Sequence, residues 1–274
     1  SPWRAIEERV EQLRCRTGSA SALSLERYLD CRNIVERRAD PEIDCDGYVE
    51  PLGSCYEEGF RLVLNDTTPK TRLRFTTAHE ICHTFFYETV PELKFHPHPT
   101  DPLEEAVCNH GAAALLMPAE DALHQVKNKD VSLATLEEFA KRYDVSIETA
   151  FLRLRGLKVW NCEMTVWHRM MTGSFVVDKV HGWLRRDWRW VESSIPHRAW
   201  SEQRGNAIRG RSFVYCETAS GLSAAKPVYF ELKRRGESLV AIWGAKRLGT
   251  AIHVRGLFGT RKSDIGPRLR TGRS

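Results

Sequence analysis

In FTTAHEICHTFF, residues 75–86, two histidines stand four residues apart with a glutamate directly after the first. On a helix, positions i and i+4 share a face, so His79 and His83 can hold one metal ion between them. Glu80 lies beside that face and reaches a water molecule rather than the ion. The arrangement suits zinc-dependent hydrolysis. Zinc acidifies water and polarises a carbonyl, while Glu80 takes the proton and returns it to the leaving amine. The competing reading is an amphipathic helix whose histidines carry no metal. A catalytic zinc also needs a third protein ligand and an open position. The segment DPLEEAVCNHGAAALLMP begins at residue 101 and offers Glu104 or Glu105 ahead of small side chains that permit close helix packing.

The elements that must position these groups follow from periodicity. PWRAIEERVEQLRCR reads as an amphipathic helix with Ile6, Val10 and Leu13 on one stripe, and SLERYLDCRNIVERR as a second helical stretch. Residues 47–65 alternate around turn residues and read as a β-hairpin or meander. The histidine motif falls on a helix over about residues 71–87, and the glutamates on another over 101–117 that stops at Pro118. Residues 131–157 give two short helices around Asp144 and Val145. That pattern fits either a DNA-reading helix-turn-helix or a packed pair closing a domain. Beyond residue 160, MTVWHRM, SFVYC, PVYFEL, SLVAIW and AIHVRGLF indicate strands, with helical potential around HRAWSEQRGNAI.

Composition bounds the class. With 42% hydrophobic and 28% charged residues the chain is globular in type, and no apolar run approaches a membrane span. The eight cysteines show no regular spacing or C-x-x-C pair, and the first residues lack a signal-peptide core. Reduced thiols in a cytoplasmic protein are therefore expected. The net charge of +5 hides an asymmetry: residues 1–159 carry net −7 and residues 160–274 net +12. Seven of the eight tryptophans also lie beyond residue 159, which marks a boundary between two units with different partners.

Three stretches in order, RLRFTTAHEICH, EEAVCNHGAAALLMP and LEEFAKRYDVSIETAFLRLRGL, together resemble the ImmA/IrrE family of zinc metallopeptidases. The likeness spans roughly residues 25–157. It implies a zincin-like fold and, aligned on the LLMP end, places the family's metal-binding glutamate on Glu105 and its asparagine on Asn109. The implied zinc ligands are His79, His83 and Glu105, with Glu80 as general base. Three positions depart from the family pattern. Cys82 stands for glycine, Cys108 for alanine and Gly111 for phenylalanine. Cys108, one helical turn from Glu105, is a candidate inhibitory thiol that would fill the open position, against the alternative of a packed apolar thiol. Cys45 and Cys55 are other sources of such a block. His96, His98 and His110 are assigned to surface or packing roles ahead of catalysis.

In the basic half, WLRRDWRWVESS interleaves Trp188 and Trp190 with Arg185, Arg186 and Arg189. Aromatic faces stack on unpaired bases and arginines meet phosphates, so single-stranded DNA is a candidate ligand; the alternative is tryptophans in a core and arginines on a solvated face. The resemblance implies cleavage of a partner helix-turn-helix repressor to release stress or defence genes, and a GAF-like sensor after the peptidase. The expected architecture is α+β. A zincin-like metallopeptidase domain over residues 1–159 contains the helix-turn-helix-like segment, a smaller β-rich α+β sensor domain follows over 160–260, and a basic tail over 261–274. Two other readings keep the same residues: a nucleic-acid-binding regulator that sequesters its partner around a non-catalytic zinc, and a zinc hydrolase of a non-peptide substrate.

Overall fold

The computed structural model describes residues 1–18, 24–53, 58–89, 101–182, 189–190, 194–202, 206–217 and 223–244. The first helix, α1 (Pro2–Thr17), buries Ile6, Val10 and Leu13 as their spacing requires, and closes on Gly18 in the left-handed region with φ 58°. The stretch expected to be a long second helix divides instead. A short α2 (Glu26–Cys31) stops at Arg32 and Asn33, and Asn33 turns the chain with φ 55° into strand β1 (Ile34–Ala39). Asparagine reaches that conformation at lower cost than most residues, so the helix ends there.

Strands β2 (Gly47–Pro51) and β3 (Phe60–Leu64) form the expected antiparallel pair, and β1 joins β3 in parallel to give the sheet order β1-β3-β2. The metal-motif helix α3 (Lys70–Thr89) packs against β2 and against α4 (Pro102–Leu116). Helix α4 has a strong start: Asp101 caps it by accepting from the Leu103 N–H at 2.8 Å, Pro102 occupies its first turn, and Glu104 and Glu105 follow there. Each choice suits exposed N–H groups at the positive end of a helix.

Along α4 the small residues let α1 and α3 approach closely. A Cβ on Gly111 would lie 2.7 Å from Ile6 Cγ1 and 2.8 Å from Cys82 Sγ, so only glycine fits between these buried side chains. Cys82 and Gly111, two of the three departures from the family pattern, thus touch: bulk gained on α3 is matched by bulk lost on α4.

Pro118 ends α4 and also caps the next helix, α5 (Ala119–Val126). Then come α6 (Leu133–Tyr143) and α7 (Ile147–Gly156), each capped by a serine hydroxyl and joined through Asp144 at φ 50°. This pair closes the core. Phe151 and Leu154 of α7 belong to one buried cluster with Trp160 and with Met164, Val240 and Ile242 of the second sheet. Arg153, also on α7, donates from Nε to the Met117 carbonyl at 2.9 Å and pairs through Nη1 with Glu7 at 2.6 Å, which ties α7 to α4 and α1.

The second sheet is antiparallel with order β5-β4-β9-β8-β7-β6. It is built from β4 (Glu163–Arg169), β5 (Phe175–His181), β6 (Arg189–Trp190), β7 (Ile208–Glu217), β8 (Ser223–Arg235) and β9 (Ser238–Gly244). One face meets the helical half. The other carries α8 (Ser194–Ser201), a helix shorter and earlier than HRAWSEQRGNAI suggests, whose Ile195 and Ala199 pack with Trp167, Leu232, Ala241 and Trp243. The Thr165 hydroxyl accepts N–H bonds from both Trp167 and Trp243, at 2.8 and 2.9 Å. Trp160, Trp167 and Trp243 are therefore core residues. Acidic helices and basic strands also pair: Glu137 with Lys233 at 2.8 Å, and Glu148 with Lys179 at 3.0 Å and His181 at 3.2 Å.

Candidate metal centre

Helix α3 places His79, Glu80 and His83 against β2 and α4 and buries all three, at 8%, 4% and 6% exposure. Glu105 reaches across from the first turn of α4. Its Oε2 lies 3.2 Å from His79 Nε2 and its Oε1 3.0 Å from His83 Nε2, while the two Nε2 atoms are 2.9 Å apart. The sequence-predicted ligands thus form one triangle, with all ligand atoms within 4.8 Å of one another.

The outer nitrogens of both imidazoles are also engaged. His79 Nδ1 lies 3.1 Å from Asn109 Oδ1 and His83 Nδ1 lies 2.9 Å from Glu104 Oε1. With protons on Nδ1, both Nε2 lone pairs face inward, an arrangement that requires positive charge between them. A tetrahedral zinc with ligands at about 2.0–2.1 Å would hold them roughly 3.3 Å apart, a few tenths of an ångström wider than found. Two imidazoles and a carboxylate are also a donor set of the kind seen at catalytic zinc. The residues fit the ion.

Electrostatics agree. Hydrogen bonds to His79 and His83 hold the Glu105 carboxyl well below the usual carboxylate range, outweighing its burial. Burial alone would lower His83. Contacts with Cys108, Glu104 and Glu105 outweigh it and push the imidazole up to about 12, so the carboxylates favour a cation at this point. Glu80 behaves oppositely. Burial pushes its carboxyl up to about 7, aided by Glu105 and opposed by His79, His83 and a backbone hydrogen bond from Val49 on β2. Such a group can both accept and return a proton near neutral pH.

Further out, Arg32 fixes α3 from below: Nε donates to the Thr84 hydroxyl at 2.8 Å and Nη2 to the Thr84 carbonyl at 3.0 Å. Cys108 is fully buried against His83, with its thiol pushed up by burial, and does not join the triangle of ligand atoms. Cys45 lies on the turn before β2, where its thiol meets the Gly47 carbonyl at 3.6 Å. His110 turns to the other side of α4, pairing with Glu7 at 3.2 Å beneath the Trp3 ring. Cys55, His96, His98, Arg185, Arg186 and Trp188 lie outside the described residues, and Arg189 and Trp190 fall on β6. Among described residues, the basic half does bring Arg169 and Arg234 to 5.4 and 4.0 Å from the half-buried Trp200 ring.

Sequence reasoning missed two contacts, Glu104 with His83 and Val49 with Glu80. The adjacency of Glu104 to Glu105 was the only signal for the first; the second is a backbone contact and leaves no mark on residue type.

Comparisons with known proteins bear on the same segment. The Peptidase M78 family model, described as IrrE N-terminal-like domain, matches residues 46–155, which contain the whole triangle and Glu80. Over 98 residues the chain is 34% identical to the radiation response metalloprotease IrrE of Deinococcus deserti, covering 34% of this chain and 35% of that relative. The chain thus spans about a third of the relative's length. A Mycobacterium tuberculosis transcriptional regulator is similar in fold, with TM-score 0.52 and 12% identity over 87% of this chain and 76% of that one. No helix among the described residues is long and apolar enough to cross a membrane. Sequence motifs, site geometry and family match converge on one segment: residues 46–155 match the IrrE N-terminal-like domain of the Peptidase M78 family and are distantly homologous to IrrE.

Proposed function

We propose that the protein is a zinc-dependent endopeptidase that cleaves a partner helix-turn-helix repressor and so releases stress or defence genes, with single-stranded DNA as the activating signal. The observation that carries the peptidase reading is Glu80, a buried carboxylate beside a His-His-Glu triangle, raised to about 7. A purely structural site has no use for such a group.

His79, His83 and Glu105 would hold the ion, and zinc bound there supplies Lewis acidity toward a carbonyl and acidifies water. Glu80 then accepts a proton and returns it to the leaving amine. The Val49 backbone bond restrains the Glu80 carboxylate while it does so. Among the described residues β2 carries no further strand on its outer edge; with the Val49 N–H given to Glu80 and no N–H on Pro51, an extended peptide would add there chiefly by donating to the strand's carbonyls. This edge favours a peptide over a small non-peptide substrate.

The repressor substrate is supported by the family likeness, and the DNA signal by the net charge of +12 beyond residue 159. Both are tested together by incubating wild-type and Glu80→Gln protein with any helix-turn-helix repressor found encoded beside it, with and without single-stranded DNA, and reading intact masses. Cleavage by wild type alone, faster with DNA, is the expected result. Zinc-loaded protein that binds the repressor and never cuts it would favour sequestration.

A further inference from the structure

Glu104, the neighbour of the candidate ligand Glu105, reaches His83 from the opposite side. Glu105 Oε1 meets Nε2 at 3.0 Å and Glu104 Oε1 meets Nδ1 at 2.9 Å, so consecutive carboxylates of one helical turn bracket a single imidazole. Adjacent helix positions point about 100° apart. Bracketing is possible because the His83 ring stands between the two directions, at the first turn of α4.

The two imidazoles are not held alike. Asn109 presents an amide to His79, and an amide turned over would present a donor instead. A carboxylate presents an acceptor oxygen whichever way it turns. Glu104, 2.9 Å from Nδ1, therefore holds the His83 ring with its Nδ1–H directed outward and Nε2 directed into the triangle. We infer that Glu104 is a positioning residue for the metal centre, fixing the tautomer and ring orientation of His83 so that a divalent cation meets a preformed ligand. Partners of this kind sustain metal affinity without touching the metal.

The proposal rests on the metal-centre reading and is tested on the full chain. Zinc affinity is measured by chelator competition for wild type, Glu104→Ala and Glu104→Gln. Visible absorption of the cobalt-substituted proteins and 15N shifts of His83 report ligand geometry and tautomer. Circular dichroism checks folding, which the half-buried position of Glu104 in the first turn of α4 should preserve. The alanine variant should bind zinc about 10- to 100-fold more weakly, with an altered cobalt spectrum and a mixed His83 tautomer. Glutamine, whose carbonyl can still accept from Nδ1, should recover most of the loss. Wild-type affinity and spectrum in Glu104→Ala would overturn the proposal, and equal losses in both variants would replace positioning with charge alone. Wild-type protein without zinc affinity would remove the metal reading itself, and this inference with it.

Discussion

Glu80 and Val49 meet across the seam between α3 and the edge strand β2, the carboxylate accepting the strand's backbone N–H. The strand that would receive substrate therefore also restrains the proton-transfer group. A shift of β2 would move substrate and base together.

Glu80→Gln should keep the fold and the metal, because the side chain is not a ligand, and should lower cleavage by about 10²- to 10⁴-fold. Elemental analysis beside a cleavage assay reads both quantities. Zinc retained with undiminished cleavage would dismiss Glu80 as the base.

His79→Ala removes one corner of the triangle and leaves Asn109 and Glu105 without their imidazole. Purified variant should contain little zinc, and zinc, expected to raise the melting temperature of wild type, should not raise that of the variant. A full zinc equivalent in the variant would reject the ligand assignment.

Gly111→Ala pits a helix-propensity gain of about 1 kcal/mol against contacts of 2.7 Å to Ile6 and 2.8 Å to Cys82. Overpacking of buried neighbours costs about 1–3 kcal/mol, so the variant should be less stable. Because Cys82 is one of the two obstacles, the loss should shrink in a Cys82→Gly background. Chemical denaturation of the four proteins measures the coupling, and strict additivity would show that the two positions do not trade volume.

Acid sensitivity should trace in part to Glu148. Hydrogen bonding to His181, then to Lys179, outweighs burial and lowers its carboxyl from 4.5 to about 2. Since the folded value is the lower one, its contribution to stability is complete above about pH 4.5 and disappears as pH falls toward 2. Glu148→Gln should flatten the fall in stability across that window. An unchanged slope in denaturation curves taken between pH 5 and 3 would assign the acid sensitivity elsewhere.

How far the sequence foretold this molecule depends on the element. Helices α1, α3, α4, α6 and α7 announce themselves through apolar spacing and through caps such as Asp101, Ser132 and Ser146. Strand β1 does not, because its residues continue a helical pattern and the break depends on Asn33 adopting a positive φ. Helix α5 hides behind Pro118, which reads as a stop and also serves as a start. Within the site, His79, Glu80 and His83 follow from spacing along one helix. Glu105 needed the family pattern, because spacing alone left two adjacent glutamates open. The grip of Glu104 on His83 was out of reach, since it depends on how α4 is rotated against α3. Trp160, Trp167 and Trp243, which lie outside the stretch read as stacking or core, belong to the core because the second sheet needs bulk on both faces.

The shared buried cluster bears on how the chain can be cut. Met164, Val240 and Ile242 cover Phe151, Leu154 and Trp160 from the sheet side. A fragment ending at residue 159 would lose Trp160 and expose the apolar face of α7, while Arg153 on that helix still gripped the end of α4. Such a truncated piece would be prone to aggregate rather than stand as a minimal enzyme. Its insolubility would say nothing about whether the missing strands take part in catalysis.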